Sequence, residues 1–379
     1  MTTTLLHPCT IQAVQPSITI VVTPRESFSY TQQSLEKIYQ HTRMPFNLVY
    51  VDAGSPRHIR KYLRSAATKK GFTLLRTDHF LSPNQARNLG LSQVKTDYVV
   101  FIENDIHVST GWLEHLWHCA KDTNASVVCP LLCIGSPLHE NIHLAGGEAR
   151  IFMDIKGAFI RRRLYEKRFL VNRLASNIKH QLYRRSCEFT ELHCTLVKRD
   201  IFEKIGPLDE NLLSSQEGMD FSLSVNQAKE QMFCEPAAVV THVPQTSYRW
   251  LDLAYFMLRW SDTWEVESLM HFQHKWDLDM DQYFLNRYKQ LGHRRHQAFL
   301  YPLLRLLTRG RNMPWLKTIA TQVEQWLNQI IADRYAQLPD NTVQKIGPTT
   351  LPEHNTVSGK TFERSIVQKH SHRPHLIPH

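Results

Sequence analysis

Polar and charged side chains stand where several predicted strands end, so they could share one site. Asp52 follows the second strand, Arg87 and Asn88 open a helix, and Glu103-Asn104-Asp105 follows the fourth strand. His242 follows a strand much further along the chain. Carboxylates with one imidazole suit Mg²⁺ or Mn²⁺, and such a metal can neutralise charge on a diphosphate. The pattern favours a site for a nucleoside diphosphate.

The elements that must position these residues alternate between short apolar runs and helical patterns. This alternation indicates βαβ units and a largely parallel sheet, in which ligands bind beyond the carboxyl ends of the strands. We therefore expect the residues after the strands, beginning with Thr23, to meet at one edge. The sequence predicts strands at 17–22, 47–51, 72–76, 98–102, about 190–197 and 237–241, and helices at 31–41, 57–70, 84–91, 201–205 and from 217 to 229.

Each of these residues also has a simpler interpretation. Asp52 could form a turn before Gly54, Asp105 could cap the turn that follows it, and His242 could be a hydrogen-bonded core histidine. Arg87 could pair with a carboxylate on a neighbouring helix. These interpretations weaken together, because all four residues fall at positions that match one scaffold.

Composition and motifs exclude several classes of protein. The chain has 379 residues, 42% of them apolar, which excludes global disorder. It has no GxGxxG and no GxxxxGK[ST], the fingerprints of dinucleotide-binding and P-loop proteins. Seven cysteines without a CxxC make a zinc site or a disulfide framework improbable and indicate a reducing compartment. The N-terminus does not resemble a signal peptide and no apolar run is long enough to span a bilayer, so a cytoplasmic protein is expected.

An ordered set of short motifs resembles the family 2 glycosyltransferases of the GT-A fold. The resemblance covers roughly residues 15–245. Segments 18–24, 49–55, 85–90 (QARNLG), 98–105 and 111–113 (GWL) look like the nucleotide-sugar half of that family, and 189–197, 205–210 (IGPLDE), 217–220 and 240–242 look like its acceptor half. It implies a mixed, mainly parallel sheet flanked by helices, an α/β fold.

The resemblance also implies roles for matching positions. Asp105 stands at the family's DxD motif as the direct ligand of Mn²⁺ or Mg²⁺, and His242 would be a further ligand. Glu217 and Asp220 match the acidic motif that supplies the catalytic base. The donor nucleotide would be held by Thr23, Pro24, Asp52, Arg87, Asn88, Glu103 and Asn104.

Two positions depart from the family pattern. Glu103 replaces the commoner first Asp of DxD, so its carboxylate reaches one methylene further. Gly218 stands where the family's Glu-Asp pair has the Asp that acts as base. Either Glu217 or Asp220 must then deprotonate the acceptor, and the sequence favours Glu217.

Residues 1–247 are expected to form the glycosyltransferase-like domain. Within it, 15–125 is the donor-nucleotide half, 161–185 a basic helical insertion, and 186–247 the acceptor and catalytic half. Residues 248–338 are expected to form a helical extension and 339–379 a disordered tail.

The excess positive charge of the chain is concentrated in the segment 161–185. The formal net charge is +10, and this segment holds nine Lys and Arg against the single acid Glu166. A solvated helix face would explain it. A more specific hypothesis is an amphipathic helix that lies on an anionic membrane surface or binds a phosphate-bearing acceptor. Because the charge is local, nucleic acid is an unlikely partner.

The sequence therefore predicts a metal-dependent, inverting glycosyltransferase. It would move a sugar from a UDP- or GDP-sugar to a hydroxyl acceptor, such as a polysaccharide or a lipid-linked glycan, in the cytoplasm or at the inner face of the membrane. Two alternatives remain open: a nucleotidyltransferase on a similar nucleotide-binding fold, and a non-catalytic protein that binds anionic surfaces on a degenerate scaffold.

Overall fold

A mixed sheet of eleven strands runs through the protein. The computed structural model describes residues 17–156, 159–244, 250–311, 313–336 and 343–347. Residues Met1–Pro348 belong to one compact unit, and a second unit, Thr349–His379, lies outside the described residues. The strands are β1 (Ile18–Thr23), β2 (Asn47–Ala53), β3 (Thr73–Thr77), β4 (Tyr98–Glu103), β5 (Ile106–Val108), β6 (Val127–Ile134), β7 (Ile142–Leu144), β8 (Gly147–Lys156), β9 (Phe159–Arg168), β10 (Arg185–Cys187), β11 (Cys194–Lys198), β12 (Met232–His242) and β13 (Gln344–Ile346).

The centre of the sheet is parallel, as the sequence predicted. The strand order is β10-β12-β6-β11-β4-β1-β2-β3-β13, with β5 beside β12 and β7 beside β6. Strands β4, β1, β2 and β3 are parallel, whereas β11 runs antiparallel between β4 and β6. The α-helices that precede β12 in the chain are α1 (Thr31–His41), α2 (Arg57–Lys70), α3 (Pro83–Leu91), α4 (Trp112–Thr123), α5 (Ile201–Ile205) and α6 (Glu217–Gln227).

Alternating side chains of the strands fill a core on each face of the sheet. Ile18, Ile20 and Val22 of β1 join one buried cluster, and Val21 joins the other. Both faces are therefore covered, which is the arrangement that parallel strands require. The fold class predicted from the sequence is confirmed.

Helix α3 begins and packs in a way that its sequence dictates. Ser82 caps the helix in a capping box with Gln85, and Pro83 occupies the first turn. At Gly90, an added Cβ would lie 2.2 Å from Cγ1 of Val21, so only glycine lets the helix approach β1 this closely. The cap and the close contact fix the helix that carries Arg87.

The basic segment is not the helix that the sequence predicted. Its first part is β9, paired with β8 in an antiparallel hairpin, and Ala175–Gln181 forms a short 3₁₀ helix. Lys167 lies opposite Glu148 with Nζ and Oε1 3.5 Å apart, and Arg163 lies 3.3 Å from Asp154. Such cross-strand pairs of opposite charge stabilise a hairpin. The prediction failed because the acids that partner this segment lie elsewhere in the chain, in β8 for Arg163 and Lys167 and in β12 for Arg184.

Residues 250–336 are predominantly helical. None of the helices among the described residues combines the length and the apolar content that crossing a bilayer requires. Within the range expected to be a disordered tail, β13 instead pairs with β3; most of that range lies outside the described residues. The helices are α7 (Leu253–Arg259), α8 (Asp262–Lys275), α9 (Gln282–Lys289), α10 (His293–Arg295), α11 (Tyr301–Leu307) and α12 (Pro314–Ala336).

Glu265 on α8 should make stability depend on pH. Burial raises the pKa of this carboxyl from 4.5 to about 7. Its stabilising contribution is therefore complete below pH 4.5 and is lost as the pH rises through 7, at a cost of up to about 3 kcal/mol. We expect Glu265→Gln to match wild type at low pH and to be more stable at pH 8, measured by urea unfolding at both pH values. Glu203→Gln, on the exposed face of α5, is the control; an identical effect of both substitutions would contradict this explanation.

Candidate active site

The carboxyl ends of β1, β4 and β12 meet at one edge of the sheet. Thr23 pairs with Glu103 where β1 and β4 end. The last residue of β12, His242, lies opposite Ile106 of β5, directly after Asp105. The fold thus brings together the strand-end residues that the sequence placed at one site.

Glu103 is the centre of a buried network of charges. Its carboxylate accepts hydrogen bonds from Arg25 at 3.0 Å and from Arg87 at 2.9 Å, and it lies 2.5 Å from Nδ1 of His193. Burial alone would raise the pKa of Glu103, but the charges of His193 and Arg25 outweigh it and hold the pKa well below its usual range. Glu103 is therefore ionised and orients two arginines and a histidine.

Asp105 and His242 form the pair that best fits a divalent cation. Nε2 of His242 lies 3.2 Å from Oδ2 of Asp105, and both side chains are almost fully buried. Oδ1 of Asp105 is buried without a hydrogen-bond partner among the described residues. Burial, then the charge of Arg25, lowers the pKa of His242, so its imidazole is neutral and offers a lone pair. An orphaned carboxylate oxygen beside a neutral imidazole suits Mn²⁺ or Mg²⁺.

Two predicted nucleotide-binding residues hold loops of the chain together. Asn104 accepts a hydrogen bond from the backbone N–H of Arg25 at 3.1 Å and donates to the carbonyl of Ser27 at 2.7 Å. Asn88 exchanges hydrogen bonds with the backbone of Leu208 at 2.8 and 3.1 Å. Their amides are used within the protein, and contact of either residue with the donor nucleotide stays a prediction.

Asp52 is buried in an ion pair with Arg76. Its Oδ1 accepts a hydrogen bond from the backbone N–H of Ser55 at 3.0 Å, and its Oδ2 bonds Arg76, at the end of β3. The turn that the sequence suggested for Asp52 is therefore present. The pairing of Asp52 with Arg76 was not predicted from the sequence.

Aromatic side chains cover the ends of β1 and β2. Tyr255 of α7 packs against Phe28 and Phe80, with ring centroids 5.1 and 5.0 Å apart, and its hydroxyl lies 3.4 Å from the carbonyl of Pro24. Thr23, Pro24 and Asp52 are buried. The helical extension thus covers Pro24, one of the residues predicted to bind the nucleobase.

A cavity of about 270 Å³ opens beside Glu103. Each glutamate in its wall is paired with an arginine of the same wall. The arginines are Arg25, Arg87, Arg168, Arg259 and Arg287, and the glutamates are Glu103, Glu166, Glu191 and Glu217. His193 also lines the cavity and stacks on His242 with ring centroids 5.8 Å apart. The cavity is therefore next to the pair that fits a cation, and its charge suits an anionic ligand.

The two candidate bases occupy different environments. Glu217 lines the cavity and accepts a hydrogen bond from Arg259 at 2.9 Å. Asp220 points elsewhere, toward Nζ of Lys275 and Nε1 of Trp276, both within 2.9 Å. Burial raises the pKa of Asp220 despite those bonds. Of the two, Glu217 is placed to meet a ligand in the cavity.

Gly218 fits closely against the segment that precedes β11. An added Cβ at this position would lie 3.0 Å from the carbonyl oxygen of Thr190 and 3.2 Å from Cα of Glu191. The family's Asp at this position would push on that backbone. The carboxylate of Glu191 lines the same cavity, so an acid is still present beside Gly218.

His143, Glu191 and His193 form a second group that could hold a metal ion. Oε2 of Glu191 lies 2.9 Å from Nε2 of His143 and 3.0 Å from Nε2 of His193. Burial and Arg25 lower the pKa of His193, but Glu103 and Glu191 outweigh them and raise it. His193 lies between Glu103 and Glu191, so contacts within the protein explain this group without a metal.

Sequence reasoning missed Arg25, Glu191, His193 and Arg259. Three of these omissions could have been avoided from the sequence. Arg25 stands two residues past the end of β1, where site residues are expected. Glu191 and His193 are two residues apart just before β11, so in an extended chain they share one face. Arg259 lies on α7, whose packing over the site no local pattern indicates.

A curated relative is similar to this chain over less than half of the chain's length. A 176-residue stretch, 46% of this chain, is 24% identical to the "Pre-mycofactocin glycosyltransferase" of Mycobacterium tuberculosis. The chain spans only 33% of the length of that relative.

Two solved structures are similar to this chain at low sequence identity. GalNAc-T7 with UDP, GalNAc and Mn²⁺ is 15% identical with a TM-score of 0.46, over 77% of this chain and 58% of that one. S. aureus TarS 1–349 in complex with UDP-GlcNAc is 14% identical with a TM-score of 0.45, over 85% and 92%.

The family model gives the firmest assignment. The model described as "Glycosyl transferase family 2" matches residues 18–206, about half of the chain. The match includes β1 to β4, the Glu103 network, Asp105 and the segment with Glu191 and His193. The chain belongs to glycosyltransferase family 2.

Proposed function

We propose that this protein transfers a sugar from a nucleoside-diphosphate sugar, with UDP or GDP as the nucleotide, to a hydroxyl acceptor. One observation carries the proposal: the arginine-lined cavity holds Glu217 in its wall and adjoins Asp105 and His242 through the stacked ring of His193. A proton acceptor and a place for a diphosphate therefore lie side by side. Transfer of a glycosyl group needs both.

Asp105 and His242 would hold Mn²⁺ or Mg²⁺. The fit rests on Oδ1 of Asp105, which is buried without a hydrogen-bond partner in the described part of the chain, and on the neutral imidazole beside it. When bound, the metal supplies charge neutralisation for the departing diphosphate. Arg25 and Arg87, both in the cavity wall, add positive charge on the same side.

Glu217 would take the proton of the acceptor hydroxyl. The acceptor oxygen forms the new bond to the anomeric carbon as the bond to the diphosphate oxygen breaks, and this in-line displacement inverts the anomeric centre. The electron pair leaves with the diphosphate, and the proton goes to the Glu217 carboxylate. Arg259, 2.9 Å from Glu217, orients that carboxylate.

Asp52, Thr23 and Pro24 are the proposed contacts of the nucleobase. All three residues are buried, and the Tyr255 hydroxyl lies 3.4 Å from the carbonyl of Pro24, so Tyr255 would move when a base reaches them. The apparent affinity is reduced by the fraction of protein in which the pocket is open.

Replacing Tyr255 by leucine should therefore strengthen nucleotide binding. We expect the Kd of UDP or GDP, measured by calorimetry with Mn²⁺, to fall by roughly tenfold for each 1.4 kcal/mol of closed-state stability removed. Tyr39→Leu is the matched control. The ring of Tyr39 packs on Phe46 beside the buried cluster that contains Ile18. An unchanged Kd in a folded Tyr255→Leu variant would place the nucleobase elsewhere.

The acceptor and the compartment are proposed from weaker observations. We propose a glycan or lipid-linked hydroxyl as acceptor. We also propose a reducing compartment such as the cytoplasm, because six cysteines among the described residues are buried free thiols. We do not propose that 161–185 contacts an anionic membrane, although the sequence suggested it. Several of its cations already pair with acids of this chain, as Arg184 does with Glu235 at 2.6 Å.

A thermal-shift panel of UDP- and GDP-sugars, with and without Mn²⁺, tests this function. A correct donor present at 100 times its Kd should stabilise the protein by about 2.7 kcal/mol. We expect that stabilisation to require the metal. A panel in which no nucleotide sugar raises the Tm, while RNA does, would overturn the proposal.

A further inference from the structure

Helix α12 carries a continuous row of exposed apolar side chains. They recur every three or four residues and so share one face of the helix. Between 45% and 64% of each side chain's surface is exposed. They are Trp315, Ile319, Val323, Trp326, Leu327 and Ile330.

The preceding helix extends this apolar surface. Leu303, Leu306 and Leu307 of α11 are 53%, 77% and 65% exposed. The opposite side of α12 is anchored, because Ala332 is buried and the Asn328 amide donates to the carbonyl of Met257 at 2.8 Å. The helix is therefore fixed with its apolar face outward, and an apolar surface of this extent marks an interaction site.

A cationic cleft lies between the two helices. It has a volume of about 340 Å³ and is lined in part by Arg305, Arg311 and Lys317. None of these three pairs with a carboxylate among the residues that the structure describes. Residues 301–323 contain four Lys and Arg and no acid. The cleft is suited to an anionic group.

We propose that α11 and α12 form a platform that docks on a bilayer rich in anionic lipid, with a lipid phosphate in the cleft between them. Tryptophan and leucine side chains favour the interfacial layer of a membrane, and cations beside them bind anionic headgroups. A second copy of this chain fits poorly, because a two-fold interface would place both cationic clefts against each other. The platform goes beyond the proposed function and does not depend on it.

Co-sedimentation of the full chain with vesicles tests the platform. We expect binding to an equimolar mixture of phosphatidylcholine and phosphatidylglycerol, little binding to phosphatidylcholine alone, and loss of binding at high salt. The pairs Trp315→Ser with Trp326→Ser, and Arg311→Gln with Lys317→Gln, should each weaken vesicle binding about tenfold or more. These side chains are exposed, so the Tm should not change.

The matched controls are Tyr183→Ser and the pair Arg161→Gln with Arg173→Gln, all in the segment 161–185. They should bind vesicles like wild type. Loss of binding in these controls but not in the platform variants would move the membrane contact to that segment and overturn the proposal. Sedimentation velocity provides a second check: a dimer that the Trp315→Ser and Trp326→Ser substitutions dissociate, with no vesicle binding, would assign the surface to a second copy instead.

Discussion

Replacing Asp105 by asparagine should reduce sugar transfer and donor hydrolysis by roughly 10³-fold or more, since metal stabilisation of a departing diphosphate is worth several kcal/mol. The substitution keeps the shape of the side chain, and its amide can still hydrogen-bond His242. It removes the charge of the carboxylate, whose Oδ1 is buried without a hydrogen-bond partner among the described residues. The loss should appear in kcat and in the Mn²⁺ dependence of donor binding, with little change in Tm.

The control for this variant is Asp122→Asn. Asp122 lies on α4, its side chain is 58% exposed, and it pairs with Arg184 outside the cavity. Its substitution should leave the rate and the Mn²⁺ dependence at wild-type values. Wild-type activity in Asp105→Asn would show that the cation, if one is used, is held by other residues, such as the group of His143, Glu191 and His193.

Replacing Glu217 by glutamine should lower kcat by roughly 10²–10⁴-fold, the range that general base catalysis contributes. The variant can still accept the hydrogen bond of Arg259, so we expect the fold and donor affinity to be retained. Steady-state kinetics, with the acceptor found for the wild type, measures kcat and the KM of the donor.

Asp220→Asn separates a catalytic role from a structural one. Asp220 bonds Lys275 and Trp276 outside the cavity, so its substitution should cost about 1–3 kcal/mol of stability and leave kcat near wild type. Glu191→Gln is the informative third variant. If it abolishes transfer while Glu217→Gln does not, the base has been assigned to the wrong wall of the cavity.

The donor half of the fold could be predicted because its signals are local. The strands β1 to β4 are short apolar runs, α3 begins with the Ser-Pro-x-Gln cap, and the polar residues follow the strand ends. Parallel pairing then brings Thr23 beside Glu103 without any further information. Asp105 and His242 come together through a different contact, the antiparallel pairing of β12 with β5, a strand that the sequence did not predict.

The rest could not be predicted because it depends on contacts between distant segments. The basic segment 161–185 was expected to be a helix, but residues 161–168 pair with β8, which precedes them in the chain. Asn88 and Asn104 look like ligand-binding residues until Leu208 and Ser27 are seen to use their amides. Tyr255 covers the end of β1 from more than two hundred residues away in sequence.

We propose above all that this protein cleaves a nucleotide sugar between the sugar and the diphosphate. The direct measurement is the identity of the phosphate product when wild type and Asp105→Asn are incubated with UDP- and GDP-sugars and Mn²⁺. We expect the wild type to release a nucleoside diphosphate from at least one donor, without pyrophosphate, and Asp105→Asn to release almost none. Release of pyrophosphate, or equal release of the diphosphate by both proteins, would contradict it.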